Sequence, residues 1–333
     1  MAAGPCHPIQ MRSAPALGPS IINRPAKRPR LAALLRSAAA LALCALVSAC
    51  GVPLGGKTAS RLQGVIVDQQ LNEISGLTAS GRHDNVFWVI DDGGNAAQLY
   101  AINRYGTRLA TYTIDGVNKT DWEDIEHYSV NGRHYLVIAD TGDNGALRKT
   151  LQLHVLEEPA TLSNSRLQPA RSIAFRFPDG PHDTEAMTVD IASRRVLLIT
   201  KKRKPPILFS VSLDPDAPKV QTAKRLGDVI GIPAAGKADL KARPRLAPYD
   251  HQVTAASISP NGKTMAVMTY RYVLLYTRKG KESWAKALSR DPLVRVLPII
   301  PQAEAMGYTT DGKSVFATGE FSVAPLYRIP VPQ

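Results

Sequence analysis

The sequence predicts an all-β fold, a β-propeller of four-stranded blades. A short phrase that begins with an acidic or hydroxyl residue returns five times in the chain. Its copies are Glu73-Ile-Ser, Glu123-Asp-Ile, Glu185-Ala-Met, Thr254-Ala-Ala and Glu304-Ala-Met. Successive copies are 50, 62, 69 and 50 residues apart, which suits one four-stranded blade for each copy.

Each phrase predicts the innermost strand of a blade, and the β-rich run behind it predicts the second strand. The second strands are expected at residues 86–90, 135–139, 196–200, 265–269 and 314–318. Two-residue hairpin signals precede three of these runs, at Asn131-Gly132, Asn261-Gly262 and Asp311-Gly312. Weaker turn signals occupy the equivalent places in the other two units.

A third strand is expected in every unit and a fourth strand in all but the last. The third strands are placed at residues 98–103, 151–156, 207–213, 273–277 and 325–329. The fourth strands are placed at residues 109–114, 172–177, 220–226 and 293–299. The last unit reaches Gln333 without a fourth strand, so a strand at residues 64–68, ahead of the first unit, is expected to pair there and close the ring.

The number of blades depends on residues 232–248. This stretch is rich in Pro, Lys and Ala and lacks β alternation, so we expect it to be a loop. Five blades then account for residues 62–333. Six blades are the alternative if the stretch hides a degenerate unit, and a two-sheet sandwich is the alternative architecture, although it does not explain the returning phrase.

The first fifty residues have the features of a sorting signal. Basic residues stand at 24, 27, 28 and 30, a mostly apolar run covers residues 31–47, and Val47-Ser-Ala-Cys50 closes the segment. The small residues before Cys50 resemble the lipobox of bacterial lipoproteins. That resemblance implies cleavage before Cys50, a thioether-linked diacylglycerol on its sulfur and an acyl chain such as palmitate on the new amino terminus. An ordinary signal peptide and an N-terminal membrane helix are the alternatives.

These boundaries predict three parts: residues 1–50 as the signal, 51–61 as a flexible tether and 62–333 as the propeller. The implied location is the cell envelope, with the chain anchored to a membrane by lipid. Because Gly51 rather than Asp follows Cys50, the expected site is the periplasmic face of the outer membrane if the host is Gram-negative.

Charge and cysteine content limit the partners of the processed chain. The whole sequence has a net charge of +13, but residues 1–50 hold six basic residues and no acid, which leaves 35 basic against 28 acidic residues, or +7. No basic and aromatic module indicates nucleic acid. Once Cys50 carries lipid, no thiol remains for a disulfide or a cysteine metal site. We expect a monomer.

Acidic first residues of the phrases are expected to meet in the central channel. Glu73, Glu123, Glu185 and Glu304 would form a ring there, with Thr254 as the fifth member. Like charges in a partly desolvated channel repel, which raises some of their pKa values or requires a cation. Calcium, a hard cation with oxygen ligands, fits such a ring. The alternative is that the glutamates accept backbone hydrogen bonds from neighbouring blades and water fills the channel.

Acidic loops strengthen the case for a cation at one rim of the channel. Asp140 and Asp143, in Asp140-Thr-Gly-Asp-Asn144, form the most metal-like of these loops. An Asp-rich turn that accepts hydrogen bonds from its own backbone is the alternative. The sequence leaves the choice open.

Candidate catalytic groups are few. His182 and His251 each stand just before an inner-strand phrase and could transfer protons, and Lys201 begins a cationic run that could hold an anion. The sequence has no Gly-x-Ser-x-Gly elbow, phosphate-binding glycine loop or His-Glu-x-x-His motif. Solvated loop charge is the alternative for Lys201.

Two motifs, Asp121-Trp-Glu-Asp-Ile125 and Ala139-Asp-Thr-Gly-Asp-Asn144, resemble those of uncharacterised secreted bacterial propellers. More distantly, the Glu-Ile-Ser-Gly and Thr-Glu-Ala-Met starts are similar to phytase-like and lactonase-like propellers. The resemblance covers residues 70–330 or so. The similarity to phytase-like propellers implies calcium-assisted phosphoester hydrolysis. The similarity to lactonase-like propellers implies metal-assisted ring opening.

Two functions therefore stay open, and with them whether the chain is an enzyme. The first is a lipid-anchored binding or scaffolding module whose rim loops recognise an envelope protein, a glycan or a small anionic ligand. The second is a calcium-assisted hydrolase of phosphoesters or lactones. In it the ion would be held by Glu123, Asp140, Asp143 and Glu185, while His182 or His251 moves protons and Lys201 orients the anion.

Overall fold

Strands make up nearly all regular structure in the computed structural model, which describes residues 59–332. The predicted signal, Cys50 and most of the predicted tether lie outside the described residues. Two short helices, α1 (Lys237–Ala242) and α2 (Trp284–Leu288), accompany the strands. Within residues 59–332, no helix combines the length and apolar character needed to cross a membrane.

The first two blades follow the predicted order from the channel outward. Blade 1 consists of β2 (Ile74–Ala79), β3 (Val86–Asp91), β4 (Gln98–Asn103) and β5 (Arg108–Ile114). Blade 2 consists of β6 (Trp122–Val130), β7 (Arg133–Asp140), β8 (Leu151–Glu157) and β10 (Arg171–Arg176). Neighbouring strands among these are antiparallel, as hairpin connections require.

The remaining three blades repeat this pattern. Blade 3 consists of β11 (Thr184–Asp190), β12 (Arg195–Thr200), β13 (Ile207–Ser212) and β15 (Lys224–Asp228). Blade 4 consists of β16 (Val253–Ile258), β17 (Thr264–Thr269), β18 (Tyr272–Thr277) and β19 (Leu293–Val296). Blade 5 consists of β20 (Ala303–Tyr308), β21 (Ser314–Gly319), β22 (Ala324–Pro330) and β1 (Arg61–Ile66).

The predicted five-bladed propeller is therefore confirmed, and the alternative sixth blade is absent from the described chain. Residues 232–248 hold α1 and part of a 3₁₀ turn at Ala247–Tyr249 instead of strands. The stretch lacks the alternation of apolar and polar residues that a half-buried strand needs.

The N-terminal strand closes the ring as predicted. β1 pairs antiparallel with β22, from Arg61 opposite Arg328 to Ile66 opposite Ala324. The strand begins at Arg61, earlier than the expected residue 64, because β22 is long enough to pair with the additional residues. Blade 5 is thus assembled from both ends of the described chain, with β1 as its outermost strand.

Two short strands that the sequence does not predict as separate elements extend blades 1 and 2. β9 (Ser165–Leu167) pairs parallel to β5, and β14 (Val220–Thr222) pairs parallel to β10. The expected single strand at residues 220–226 is therefore split. Ala223 donates its N–H to Arg176 of blade 2, and the chain then continues into β15 of blade 3.

Apolar and aromatic side chains fill the wedges between neighbouring blades. Trp88 of blade 1 and Trp122 of blade 2 are both fully buried in one cluster. Phe87 of blade 1 packs on Phe316 of blade 5, with ring centroids 4.4 Å apart. Large flat side chains fit this geometry because the gap between two blades widens away from the axis.

Polar groups, by contrast, join the inner strands at the axis. The carboxylate of Asp124, on β6, accepts N–H donors from Met187 of blade 3 at 2.8 Å and Ala256 of blade 4 at 3.3 Å. Glu126, two residues later, accepts hydroxyl donors from Thr78 of blade 1 and Thr188 of blade 3, each at 3.0 Å. Blade 2 thus supplies carboxylates that bind three other blades.

Substituting Ile66 with alanine tests the closing strand. The side chain of Ile66 is fully buried between blades 5 and 1, so its truncation should lower the free energy of unfolding by about 2–4 kcal/mol. Leu62 on the same strand is 56% exposed, so Leu62→Ala should change the free energy of unfolding by less than ~0.5 kcal/mol. Urea denaturation measures both. Equal effects would contradict a packed closing strand.

Candidate cation site at the acidic channel mouth

Every inner strand carries a β-bulge at the same place, near the start of the strand. Its register with the second strand skips one residue in each blade. The skipped residues, in blade order, are Ser75, Glu123, Glu185, Thr254 and Glu304. A bulge redirects the extra side chain out of the regular ladder, and here it produces a ring of five side chains, the bulge ring.

The bulge ring corrects one member of the predicted carboxylate ring. Glu123, Glu185 and Glu304 occupy it as expected, with Thr254, but in blade 1 the position belongs to Ser75 instead of Glu73. Glu73 lies two residues earlier, is exposed, and accepts a hydrogen bond from the side chain of Asn95 at 2.7 Å. The phrases were matched by their first acidic residue, whereas the structural equivalence follows the bulge.

A second ring surrounds the same mouth, formed by the first residue after each second strand. Its members, in blade order, are Asp92, Thr141, Lys201, Tyr270 and Glu320. In blades 1, 2, 3 and 5 the amide of this member donates to the carbonyl of the residue two positions before the bulge, namely Asp92 to Glu73, Thr141 to Asp121, Lys201 to Asp183 and Glu320 to Gln302. The two rings together define the channel mouth, and Asp92 and Glu320 are members that the sequence did not single out as ligands.

Lys201 neutralises one side of this mouth. Its ammonium pairs with Glu185 in its own blade and reaches Glu304 of blade 5 at 3.5 Å, while the Tyr270 hydroxyl donates to the same Glu304. Burial disfavours the charge of Lys201, but the neighbouring carboxylates outweigh burial and raise the pKa of the ammonium. The ammonium therefore stays charged and is engaged by protein groups, not by an incoming anion.

The other side of the mouth is not neutralised in the same way. The carboxylate of Glu123 makes no hydrogen bond or ion pair with any described residue, and the residue is almost fully buried. Burial, followed by the charges of Glu185 and Asp121, raises its pKa well above the ordinary value. A Cβ atom at Gly142 would collide with an oxygen of Glu123 and with one of Asp121. Both carboxylates therefore face the small space that this glycine leaves free.

Asp92 and Glu320 extend this unneutralised side. Burial, followed by the charges of Glu73 and Asp121, raises the pKa of Asp92 to about 7. Burial, followed by the hydrogen bond and charge of Glu304, raises the pKa of Glu320 to about 9. Asp92 Oδ1 is a buried atom without a hydrogen-bond partner among the described residues. Lys119 is the cation whose charge acts on Asp92, and it makes no ion pair within the described chain.

The carboxylates of Asp140 and Asp143 already have protein donors. The carboxylate of Asp140 accepts the amides of Thr120 and Asp121 and pairs with Arg148 at 2.6 Å. Asp143 accepts the amides of Leu147 and Arg148, at 2.8 and 2.9 Å. The contacts of Asp143 match the self-bonded turn that the sequence offered as the alternative to a metal loop, whereas Asp140 joins this loop to the segment before β6.

The two candidate histidines lie apart from the carboxylates of the rings. His182 is buried against Phe177 and Phe209, with ring centroids 5.0 and 5.4 Å away, and pairs with Asp179 at 2.9 Å. The ring of His251 is half-buried, and burial, with the charge of Lys204, lowers its pKa. Neither ring bonds to a carboxylate of the mouth in the described chain. Their assignment to proton transfer stays a prediction without support from contacts.

No protein-family model and no curated protein matches the chain. Among solved structures, a chain in the crystal structure of a nidogen/laminin complex is similar to it. The two share 11% identity with a TM-score of 0.42, and the match covers 75% of this chain and 73% of that chain. A likeness of this size carries no inference about activity or partners. The resemblance to secreted bacterial propellers stays a prediction.

The stability of the propeller should fall as pH rises from about 5 to 9. Unfolded carboxyls release their protons near pH 4, whereas Asp92 and Glu320 keep theirs in the folded state up to about 7 and 9. The folded state then binds more protons across this window, so raising the pH favours unfolding. Urea denaturation at several pH values, with calcium chelated, measures the slope.

Glu320→Gln should flatten the upper part of this slope, because it removes the group that titrates last. Glu282→Gln is the control, since the hydrogen bond from Arg290 lowers the pKa of Glu282 to about 2, outside the window. Stability that rises between pH 5 and 9 would contradict the buried carboxylates described here.

Proposed function

We propose that the chain is a binding module of the cell envelope whose acidic channel mouth holds a calcium ion as part of its ligand-binding surface. The propeller fold supports a binding or scaffolding module in general terms. The acidic mouth as the site, calcium as the ion and the cell envelope as the location are the parts that we propose beyond the fold.

One observation carries the proposal: four carboxylates on one side of the mouth form no ion pair with a described residue, although the charges of Lys119, Arg148 and Lys201 act on them from a greater distance. These are Asp92, Asp121, Glu123 and Glu320. The ammonium of Lys201 is already shared by Glu185 and Glu304 on the other side. Partly buried like charges either keep protons or bind a cation, and here the half-buried positions of Asp92, Asp121 and Glu320 leave the group reachable from solvent.

The chemistry of these residues suits calcium. Every side-chain donor in the unneutralised group is a carboxylate oxygen, and Ca²⁺ takes 6–8 or so oxygen ligands, including water and backbone carbonyls. The buried, unpartnered Oδ1 of Asp92 is a donor that such an ion would satisfy. Asp121 and Glu123 face one space above Gly142 and would supply further ligands.

A calcium ion would also decide which partner can bind at the mouth. Without it the carboxylates repel an anion, and Lys201 is too fully paired to attract one. With it, a carboxylate or phosphate group of an envelope protein, a glycan or a small anionic ligand could complete the coordination of the ion. We therefore propose calcium-dependent recognition.

The alternative hydrolase finds no specific observation in its favour. It requires Asp140 and Asp143 as ligands, but Asp140 accepts the amide of Thr120, from the segment before β6, and Asp143 accepts an amide of its own loop. It also requires a free Lys201 and a histidine near the ion, whereas Lys201 is paired and His182 lies in an aromatic pocket. Our proposal is therefore a binding function.

Calcium titration tests the site. The purified protein should bind one calcium ion by calorimetry, and a double variant with Asp121→Asn and Glu123→Gln should bind at least tenfold more weakly, equivalent to ~1.4 kcal/mol. Glu282→Gln, which removes a carboxylate paired with Arg290, should bind like the unchanged protein. Binding of equal strength in all three proteins would overturn the proposed ligands.

Lipid labelling tests the proposed anchor. In a bacterial host, the unchanged chain should incorporate labelled palmitate and sediment with membranes, because the segment ending at Cys50 resembles a lipobox. Cys50→Ser should abolish the label and release the chain from the membrane fraction. Labelling that persists in this variant would contradict lipidation at Cys50, independently of the calcium result.

A further inference from the structure

Two histidines and a glutamate meet at the opposite end of blade 2 from the acidic mouth. His127 lies in the second half of β6, His134 at the start of β7, and Glu158 immediately after β8. One ligand atom from each lies within 4.8 Å of the other two. We call this group the histidine–glutamate cluster.

Strand pairing explains why these residues meet. In the β6–β7 hairpin His134 is opposite Ser129, two residues from His127, so the two histidines share one face of the blade. The amide of Glu158 donates to the carbonyl of His134 at 2.9 Å, which continues the ladder on the next strand. The cluster is therefore a row across three adjacent strands.

Blade 1 holds the glutamate in place. Glu158 Oε1 accepts the hydroxyl of Ser80 at 2.5 Å, the amide of Gly81 at 3.1 Å and the indole N–H of Trp88 at 2.7 Å. Glu158 is 1% exposed, and its second oxygen, Oε2, is buried with no hydrogen-bond partner among the described residues. This oxygen is the atom directed at the two histidines.

The separations of the three ligand atoms match the edges of a metal coordination shell. His127 Nε2 lies 3.1 Å from His134 Nδ1, and Glu158 Oε2 lies 3.5 and 3.7 Å from these two nitrogens. Ligands bound to a tetrahedral zinc ion at about 2.0–2.1 Å stand about 3.3 Å apart. Small side-chain shifts would therefore let all three atoms bind one ion.

The cluster is accessible from one side. The side chains of His127 and His134 are 19% and 27% exposed. Both line a groove of about 510 Å³ at the second mouth of the channel. A Cβ atom at Gly81 would collide with His127 Nε2 and His134 Nδ1, so glycine at this position keeps the two nitrogens free.

We propose that His127, His134 and Glu158 bind a zinc-class divalent metal ion between blades 1 and 2, with a fourth coordination position open to the groove. Three protein ligands with one open position are the arrangement of zinc sites that exchange water for a ligand. The donors from Ser80, Gly81 and Trp88 would orient the carboxylate in the manner of outer-sphere groups at metal sites. This site is separate from the proposed calcium site.

A cluster without a metal would use the same three side chains. Burial lowers the pKa of His127, and the charge of Glu158 opposes this effect. The competing interpretation is that the rings and the carboxylate share protons, with the 3.1 Å contact as a hydrogen bond between the two histidines.

Zinc and cobalt titrations distinguish these interpretations. The untagged full chain is first alkylated at its thiols and stripped of all metal by a chelator. After zinc is added and the excess is removed by desalting, the chain should retain one zinc ion. Replacing zinc by cobalt should give the strong visible absorption of a tetrahedral site with nitrogen ligands. His127→Gln and Glu158→Gln should each weaken zinc binding at least tenfold. His251→Gln, a histidine outside the cluster, should leave it unchanged.

Unfolding measurements keep the result separate from misfolding. Zinc should raise the thermal midpoint of the unchanged protein and of His251→Gln, but not that of His127→Gln or Gly81→Ala. Absence of stoichiometric zinc in the unchanged protein would overturn the site, and so would zinc binding of equal strength in the cluster variants. Should a variant fail to fold, the cobalt spectrum of the unchanged protein decides alone, because octahedral oxygen coordination would contradict the proposal.

Discussion

The arrangement of the blades depends on the buried carboxylate of Asp124. It is fully buried at the axis and accepts amide donors from its own strand, from Met187 of blade 3 and from Ala256 of blade 4. Burial raises its pKa well above the ordinary value, and these donors oppose the rise. One acceptor that serves three blades therefore satisfies donors that would otherwise be buried unpaired.

This polar centre separates the two ends of the channel. At one end the bulges direct Glu123, Glu185 and Glu304 into a common space with Lys201. At the other end the hairpin of blade 2 brings His127 and His134 to the wall facing blade 1. The first end offers mainly carboxylate oxygens and the second offers imidazole nitrogens with one carboxylate. Hard cations favour the first set of donors and zinc-class ions the second.

The candidate site could be predicted only in part. The repeated phrase located Glu123, Glu185 and Glu304, because the first residue of the phrase is the bulged residue in blades 2, 3 and 5. It misplaced Glu73, since an acidic residue before the bulge gives the same local pattern. Spacing alone could not show that Lys201 crosses to Glu304, or that backbone amides occupy Asp140 and Asp143. The His-x6-His spacing across the Asn131-Gly132 turn was a usable signal for the zinc-class cluster, but Glu158 follows only from the third strand.

The sequence by itself determined the five blades, the order of their strands and the closure of the ring. Alternation and turn signals are local, and each blade repeats them, so the strand errors are limited to strand ends, the divided run at residues 220–226 and the unpredicted short strand β9. Only the tertiary structure decided which side chains share a space. A one-residue bulge redirects a side chain, and contacts such as Lys201 with Glu304 join residues from different blades. The hydrogen-bond partners, the burial and the pKa of each side chain follow from that placement, which a local sequence pattern does not predict.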